Sequence, residues 1–552
     1  MNIASIALKL FAFKARQFER DTMDPMRSQE RFLFELLKRN RHTEFGRAYN
    51  FSGIRSVSLF QNRVPLSDCE TIRQYLVRIA KGEDNILTVD KPIFFGETSG
   101  TTSHPKLIPV TEYSRASKAE TANLWAYYIA RDHPSVLKGK VLAIVSPEVW
   151  GYTERGLPYG AESGHGYKNL HFLFRNLYAL PPEVFDIKDY EARYYCILRI
   201  GMEKDVTTVA TLNPSTLLLL CRKVATWQDD IIKDIGSGAI SGKFDIPANL
   251  RKAIGKYLKP NPRRAGELKS LAAERKELIP KYVWPNLELI ECWKGGTVKM
   301  YLKELPHYFG DIAIRDFGCL STEARSSIPM SDEGAGGALA INANFYEFVP
   351  REEMQSKDKH FLLCDQLEKG EEYFLIVTTP GGLYRYNIDD IIVVNGFFNK
   401  TPVIEFVQKG LNAVSLTGEK VYESHINEAV NNALGRQKLM VELFSASVQW
   451  DHPPRYIFLV EFEGSPTREE KKNFLSSVEE ELCLQNNEYK WIRQAELLGP
   501  PILKVLRNGE FEKYRAKRIS EGAHDTQFKL PELVGDFGFQ KNFFIEEEIF
   551  ID

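Results

Sequence analysis

The sequence predicts an α/β protein: a large N-terminal body of several β-sheets flanked by helices, followed by a small α+β C-terminal domain. Three observations predict it. Short β-prone runs alternate with long helical ones through most of the chain, the signature of strands joined by helical connections. Turn chemistry interrupts that alternation once, in "KGLN" after the strand-like "TPVIEFVQ". The 552 residues, 43% hydrophobic and 26% charged, suffice for a large core and for more than one domain.

At the N-terminus, Ile3, Ile6, Leu10 and Phe13 recur at helical spacing. Lys9 interrupts the apolar run, Lys14 and Arg16 follow, and no small-residue cleavage site stands behind it, which argues against a signal peptide. The reading is an amphipathic helix docked on the body, with a helix resting on a membrane surface as the alternative. Helical patterning continues to about Leu66, as in "SQERFLFELLKRN". Strand-like runs follow: "KVLAIVS", "TTVATL", "LELIEC", "DIAIRDF", "EYFLIVTT" and "PVIEFV". Helical stretches lie between many of them, such as "PSTLLLLCRKVATWQDDIIKDI", which Asn213 or Ser215 can cap. Its run "TLLLLC" is far short of the ~20 residues a membrane span needs. Beyond the break come "RYIFLVEF", the charged helix "TREEKKNFLSSVEEELCLQ", the strand "PILKVL" and the helix "GEFEKYRAKRISEG". The expected domains are 1–408 and 409–552.

With 72 basic and 74 acidic residues the net charge is −2, which does not suit a global nucleic-acid or membrane-surface binder. Seven cysteines stand far apart at 69, 196, 221, 292, 319, 364 and 483, with no CxxC pair. Zinc knuckles and a disulfide framework are therefore not expected, and scattered thiols fit a reducing, cytoplasmic setting.

One stretch stands out for chemistry. "FGETSGTTSHPKLIP", residues 95–109, gathers short hydroxyls, two glycines and one lysine behind an apolar run. Gly100 permits close approach of a ligand, and Thr98, Ser99, Thr101, Thr102 and Ser103 are short donors. Lys106 adds a positive charge behind Pro105. The set suits a polyphosphate, although a hydroxyl-rich surface turn has the same composition. It departs from the GxxxxGK[ST] loop, since no Ser or Thr follows the lysine.

This string resembles the phosphate-binding motif T-S-G-T-T-G-x-P-K of the adenylate-forming superfamily, with Ser103 at the common glycine. Two further stretches resemble that superfamily in the expected order. In "DFGCLSTEARSSIP", Thr322 and Glu323 match the end of an aromatic-x-x-[ST]-E motif, and Cys319 or Leu320 stands at the aromatic place that packs near adenine. A carboxylate there can hold Mg²⁺ on phosphate oxygens; the alternative for Glu323 is an acid at a helix start. In "TTPGGLYRYNIDDII", Asp390 matches the aspartate that accepts both ribose hydroxyls, with Asp389 where glycine is usual. A surface turn with two acids is the alternative. Tyr384 and Tyr386 alternate with Arg385 as on a strand with two different faces.

"WPNLELIECWKGG", "NFYEFVP", "GLYRYNIDDIIVVNGFFNKTPVIEFV" and "NGEFEKYRAKRISEGAHDTQFKLPEL" narrow the resemblance to the Gretchen Hagen 3 family of acyl-acid amido synthetases. It covers roughly Phe32 to the end, and the departures point to a bacterial member. The resemblance implies ATP and Mg²⁺ as cofactors. A carboxylic acid is adenylated with release of pyrophosphate, and the acyl group then passes to an amine, usually of an amino acid. It assigns Ser99, Thr101, Thr102 and Lys106 to the phosphates, Thr322 and Glu323 to the α-phosphate and Mg²⁺, and Asp390 to the ribose. It places Thr98, Gly100, Ser103, Cys319 and Lys409 with the nucleotide. Lys420 would approach the adenylate after rotation about Gly410, beside Gln408 and Lys409, and Lys529 would reach the acyl phosphate during adenylation. Exposed, solvated side chains are the alternative for both lysines. An acyl pocket is expected beside residues 146–167, walled by Trp150, Tyr152 and Tyr159; an irregular surface loop is the alternative. No G-x-S-x-G elbow or paired Cys/His signature suggests a covalent nucleophile. Two other functions fit parts of the pattern: an acyl-CoA ligase of the same superfamily, and a non-catalytic nucleotide-binding regulator. Partners are small acid and amine substrates, without nucleic acid or stable membrane insertion, in a monomer or homodimer.

Overall fold

The computed structural model describes all residues except 1–2, 99–105, 171, 296–300, 411–412, 415, 417–418, 420, 452, 487–488, 491–492, 494–497, 522–527 and 552. The chain divides into two compact units, Met1–Phe406 and Val407–Asp552.

The first unit opens with helices. α1 (Ile3–Asp21) is followed by α2 (Pro25–Asn40), which starts on Pro25 with the Asp24 side chain accepting from the Arg27 amide. Phe32, Leu33, Leu36 and Leu37 form the buried stripe of α2, at the helical spacing of its sequence. α1 docks through buried Ala15 and Phe18 against α3 (Glu112–Asp132), where Lys14 pairs with Glu120 at 2.8 Å. The side chains of Ile3, Ile6 and Leu10 lie outside the described residues. No helix among the described residues is long and apolar enough to cross a membrane.

The strands of this unit run β1 (Pro92–Thr98), β2 (Lys106–Thr111), β3 (Lys140–Ala143), β4 (Gly151–Tyr152), β5 (Pro158–Gly160), β6 (Val206–Ala210) and β7 (Leu289–Glu291), then β8 (Ala313–Arg315), β9 (Ser327–Ile328), β10 (Gly337–Leu339), β11 (Phe345–Pro350), β12 (Glu372–Thr378), β13 (Tyr386–Phe398) and β14 (Thr401–Lys409). They form three sheets, ordered β2-β1-β5-β4, β3-β6-β7-β8 and β11-β12-β13-β14-β10-β9. The β3-β6-β7-β8 sheet is wholly parallel, and every residue of β6 and β7 is buried, as a sheet covered on both faces requires. The helix Pro214–Ser237 begins directly after Asn213, so Asn213 holds the cap position and Ser215 lies inside the first turn. The six-stranded sheet packs its core with Leu33, Leu36 and Phe60 from the N-terminal helices.

In the second unit, β15 (Ala413–Val414) pairs with β16 (Val421–Tyr422). A four-stranded sheet orders β17 (Val441–Gln449), β18 (Arg455–Phe462), β19 (Ile502–Leu506) and β20 (Ile545–Phe550) in sequence. Two helices, Glu423–Gln437 and Arg468–Gln485, pack on each other, and Ile426, Val430, Phe474 and Val478 on them are buried. This is the small α+β fold its sequence pattern suggests.

Candidate functional site

Three separated stretches line one cavity in the first unit. Ile108 and Pro109 come from β2, Thr322 and Glu323 from the segment after β8, and Thr379, Pro380, Gly381 and Leu383 from the segment after β12. Ser114, Ser117, Lys118 and Asn344 complete the lining.

The hairpin comes first. β1 and β2 are antiparallel with Thr98 opposite Lys106, so residues 99–105 join the strands at that end. Ser99, Gly100, Thr101, Thr102 and Ser103 lie outside the described residues, as do the side chains of Thr98 and Lys106. The strand below is tied to the cavity: a Cβ on Gly96 would fall 2.4 Å from Thr322 Cγ2, so only glycine permits this approach.

The second stretch is a tight turn. The Ser321 amide donates to the Ala324 carbonyl at 2.9 Å, and the Ala324 amide donates to Ser321 Oγ at 3.2 Å. Thr322 and Glu323 sit at its apex, so Glu323 is not an acid at a helix start. Asp316 fixes the base: its carboxylate accepts from the Gly318 amide at 2.5 Å and the Lys294 amide at 2.6 Å. Burial nevertheless pushes this carboxyl up to about 6. Gly318 has φ +79°, and a Cβ there would meet Ser327 Oγ at 2.7 Å. Cys319, at the expected aromatic place, is buried in the core, and burial raises its thiol well above the ordinary range, with a further contribution from the Asp390 charge. Asp390 is therefore electrostatically close to this segment, although it does not line the cavity.

The third stretch corrects one expectation. Tyr384, Arg385 and Tyr386 do not share a strand: β13 begins only at Tyr386, Arg385 has a positive φ, and all three are buried. Arg385 takes φ +45°, and its guanidinium is held inside the core. It pairs with Glu347 at 2.9 Å and donates to the Gln61 and Val64 carbonyls at 2.6 and 2.8 Å. Its backbone amide donates to Thr378 Oγ1 at 2.9 Å, so the same residue anchors the cavity-lining turn. Asp389 has φ +62°, the left-handed conformation that explains a glycine as the usual residue there. Asp390 lies on β13, with 8% of its surface exposed.

Sequence reasoning missed Lys118. It stands on α3 with Ser114 and Ser117, at the i, i+3, i+4 spacing that puts three polar side chains on one helix face. That polar stripe, directly after the hydroxyl-rich hairpin, was the available signal. Lys118 Nζ donates to both Glu162 carboxylate oxygens at 2.8 Å and to the Thr322 carbonyl at 2.6 Å.

The other expected residues are more dispersed. Gly151 and Tyr159 pack closely across the β4–β5 pair, with Tyr159 half-buried, whereas Tyr152 turns outward, 66% exposed. Trp150 is joined to the Tyr159 carbonyl through its backbone amide at 2.8 Å. In the second unit Lys529 is 42% exposed and 4.0 Å from Glu532. Lys420 and the side chain of Lys409 lie outside the described residues.

Among the described residues no group of three or more His, Cys, Asp or Glu side chains is arranged to hold a metal on its own. A magnesium ion carried on phosphates asks for less, one or two protein oxygens alongside phosphate and water. The Glu323 carboxylate and Thr322 hydroxyl, on one turn lining the cavity, fit that demand.

Comparison with known proteins decides the family. The GH3 family N-terminal domain matches residues 14–314, the central domain 337–409 and the C-terminal domain 424–536. The chain belongs to the GH3 family. It is 27% identical to a jasmonoyl–L-amino acid synthetase of Nicotiana attenuata, over 94% of this chain and 93% of that protein. It is also 27% identical to an indole-3-acetic acid-amido synthetase of Arabidopsis thaliana, over 92% and 89%. The solved GH3.15 acyl acid amido synthetase shares its fold at a TM-score of 0.87 and 24% identity, covering 97% of this chain and 96% of that one.

Proposed function

We infer that this GH3 chain is an ATP-dependent acyl-acid amido synthetase. It joins a small carboxylic acid to AMP with release of pyrophosphate, then transfers the acyl group to the amine of an amino acid. The observation that carries this reading is the meeting of the Thr322–Glu323 turn, the turn after β12 and Ile108 and Pro109 of β2, the strand that follows the hydroxyl-rich loop, around one cavity. Family membership along the chain and the names of its relatives support it.

In the first step a carboxylate oxygen bonds to the α-phosphorus and the bond to pyrophosphate breaks. Negative charge builds on phosphate oxygens, so fixed donors aimed at it lower the barrier. The Thr322 hydroxyl supplies such a donor, with the Thr379 hydroxyl on the same lining. Lys106 and the hydroxyls of residues 98–103 are assigned to the phosphates by the family resemblance, and Asp390 to the ribose. Mg²⁺, when bound, would neutralise phosphate charge, and Glu323 and Thr322 would hold it. In the second step the amine nitrogen bonds to the acyl carbon, the bond to AMP breaks and the amine sheds a proton. Tyr159 and Trp150 are the candidates for contact with the acid. The free cysteines, five of the six described being buried, fit a reducing cytoplasm.

The test is ATP–pyrophosphate exchange with Mg²⁺ and a panel of aryl, indole and fatty acids, followed by amino acids as acceptors. Acid-dependent exchange and amide formation are expected, and Glu323→Gln should lower exchange by about 100-fold, the usual scale for removing one charge-stabilising group. A folded protein that binds ATP but exchanges pyrophosphate with no acid would overturn the reading.

A further inference from the structure

We propose that Lys118 is a positioning residue for the magnesium-binding turn, holding the peptide between Thr322 and Glu323 in place from the side of α3. The inference rests on the adenylation reading above and adds to it the device that orients Glu323.

An ammonium group has three hydrogens to donate. Lys118 directs its group at both oxygens of Glu162 and at the Thr322 carbonyl, at 2.8, 2.8 and 2.6 Å. The Thr322 carbonyl belongs to the peptide that carries the Glu323 amide, so fixing it fixes the plane from which the Glu323 side chain departs. The turn's own bonds, from the Ser321 amide to the Ala324 carbonyl and from the Ala324 amide to Ser321 Oγ, clamp its two ends. Lys118 clamps the middle.

Its support is rigid on both sides. Lys118 lies on α3, whose start is fixed by the reciprocal bonds of Thr111 and Ser114. Glu162 opens α4 (Glu162–Lys168). That helix packs so closely that a Cβ on Gly164 would fall 2.2 Å from the Ser146 carbonyl, and His165 stacks on Phe94 at 4.3 Å. Phe94 and Gly96 are two residues apart on β1, hence on one face, and Gly96 is the residue pressed against Thr322. Helix, strand and turn thus enclose the lysine. With its three donors directed at Glu162 and Thr322, Lys118 acts through Glu323, and its charge is balanced by Glu162. A group held only by its first contacts loses precision; one held from behind keeps it.

The experiment is calorimetric titration of ATP, without acid substrate, into wild type, Lys118→Met and Lys118→Arg, in magnesium and in EDTA. The readout is the gain in ATP affinity that magnesium confers. Affinity in EDTA should agree within about twofold across the three, while the magnesium gain should fall by at least about fivefold in K118M and be retained in K118R. A K118M protein with the full magnesium gain overturns the inference and leaves the adenylation reading standing. So does equal weakening with and without magnesium, which would make Lys118 a general structural or direct phosphate contact. Glu162→Gln keeps the lysine but removes its balancing charge, and should lower the gain by about twofold; if K118M does not fold, an unchanged gain in E162Q overturns the inference instead. A wild type that binds no ATP in either condition sinks the adenylation reading and this inference together.

Discussion

Two buried charge arrangements stand beneath the cavity-lining turns, and they solve the same problem differently. Under the turn after β12, Arg385 and Glu347 are 3% and 1% exposed and form a pair closed off from solvent. The guanidinium reaches two carbonyls besides its carboxylate partner and lies over the Phe361 ring at 4.2 Å. Gln61 Nε2 donates to Glu347 at 3.1 Å. Under the Thr322–Glu323 turn, Glu291 and Asp316 at the ends of the parallel sheet are more open. Burial pushes Glu291 up to about 8 and Asp316 up to about 6, against the pull of Arg315 and Arg325 on the former and of two backbone amides on the latter. Burial also pulls Arg325 down to about 10. A buried carboxyl is pushed toward its neutral form when burial outruns the partners of its charge. One turn therefore rests on a buried ion pair and the other on acids that burial raises into the working range.

The largest effect comes from breaking the closed arrangement. Arg385→Met leaves Glu347 buried without its cation and should cost about 3–5 kcal/mol in urea unfolding. Replacing both partners with apolar residues, Arg385→Met with Glu347→Leu, should recover most of that loss, because the desolvation penalty disappears with the charges. A single-mutant loss below about 1 kcal/mol would mean that the pair is no more costly to break than a surface bridge.

The open arrangement should show itself as pH dependence. The folded-state value of Glu291 is raised above its unfolded value, so the folded state binds more protons between about 4.5 and 8. Stability therefore falls as pH rises through that window, and is flat in this respect below and above it. Glu291→Gln removes the titration. It should flatten the profile of unfolding free energy by about 1 kcal/mol per pH unit across the window, a scale set by one group shifting between states. Asp316 contributes a residual slope of the same sign below about 6. An unaltered profile in E291Q would mean that the carboxyl is better solvated than its burial implies.

How much of this was legible in the sequence follows from the same contrast. The alternation of strands and helices gave the α/β body, and the hydroxyl-rich loop, Thr322–Glu323 and residues 378–392 were found because each is a local string. Their partners are not local. Lys118 is 204 residues from the carbonyl it holds, and Arg385 is 38 residues from Glu347 and over 320 from the carbonyls of Gln61 and Val64. Nothing in the neighbours of Arg385 shows that it will be buried; alternation with two tyrosines suggested only a strand with two different faces. Glu323 was open between a helix start and a metal ligand because the residues after it do not reveal a turn closed by Ser321 and Ala324.

The smallest effect is also the finest discriminator between the adjacent acids. Asp389 holds φ +62°, a conformation aspartate tolerates better than most residues but glycine adopts freely. Its amide already donates to Asn387 Oδ1 at 2.9 Å, a local bond that helps hold the bend. Asp389→Gly should change stability by less than about 1 kcal/mol, since relief of backbone strain is offset by the greater freedom of glycine in the unfolded chain. Asp389→Ala keeps a Cβ and loses the short polar side chain that eases this conformation, so it should be less stable than the glycine variant by about 1 kcal/mol. The two variants separate backbone from chemistry. If both keep ATP affinity while Asp390→Ala loses it, the ribose role belongs to Asp390 and the left-handed position serves only to aim it. If the glycine variant also loses affinity, the carboxylate of Asp389 is itself in contact with the nucleotide, and the bend that the family fills with glycine has here acquired a binding role.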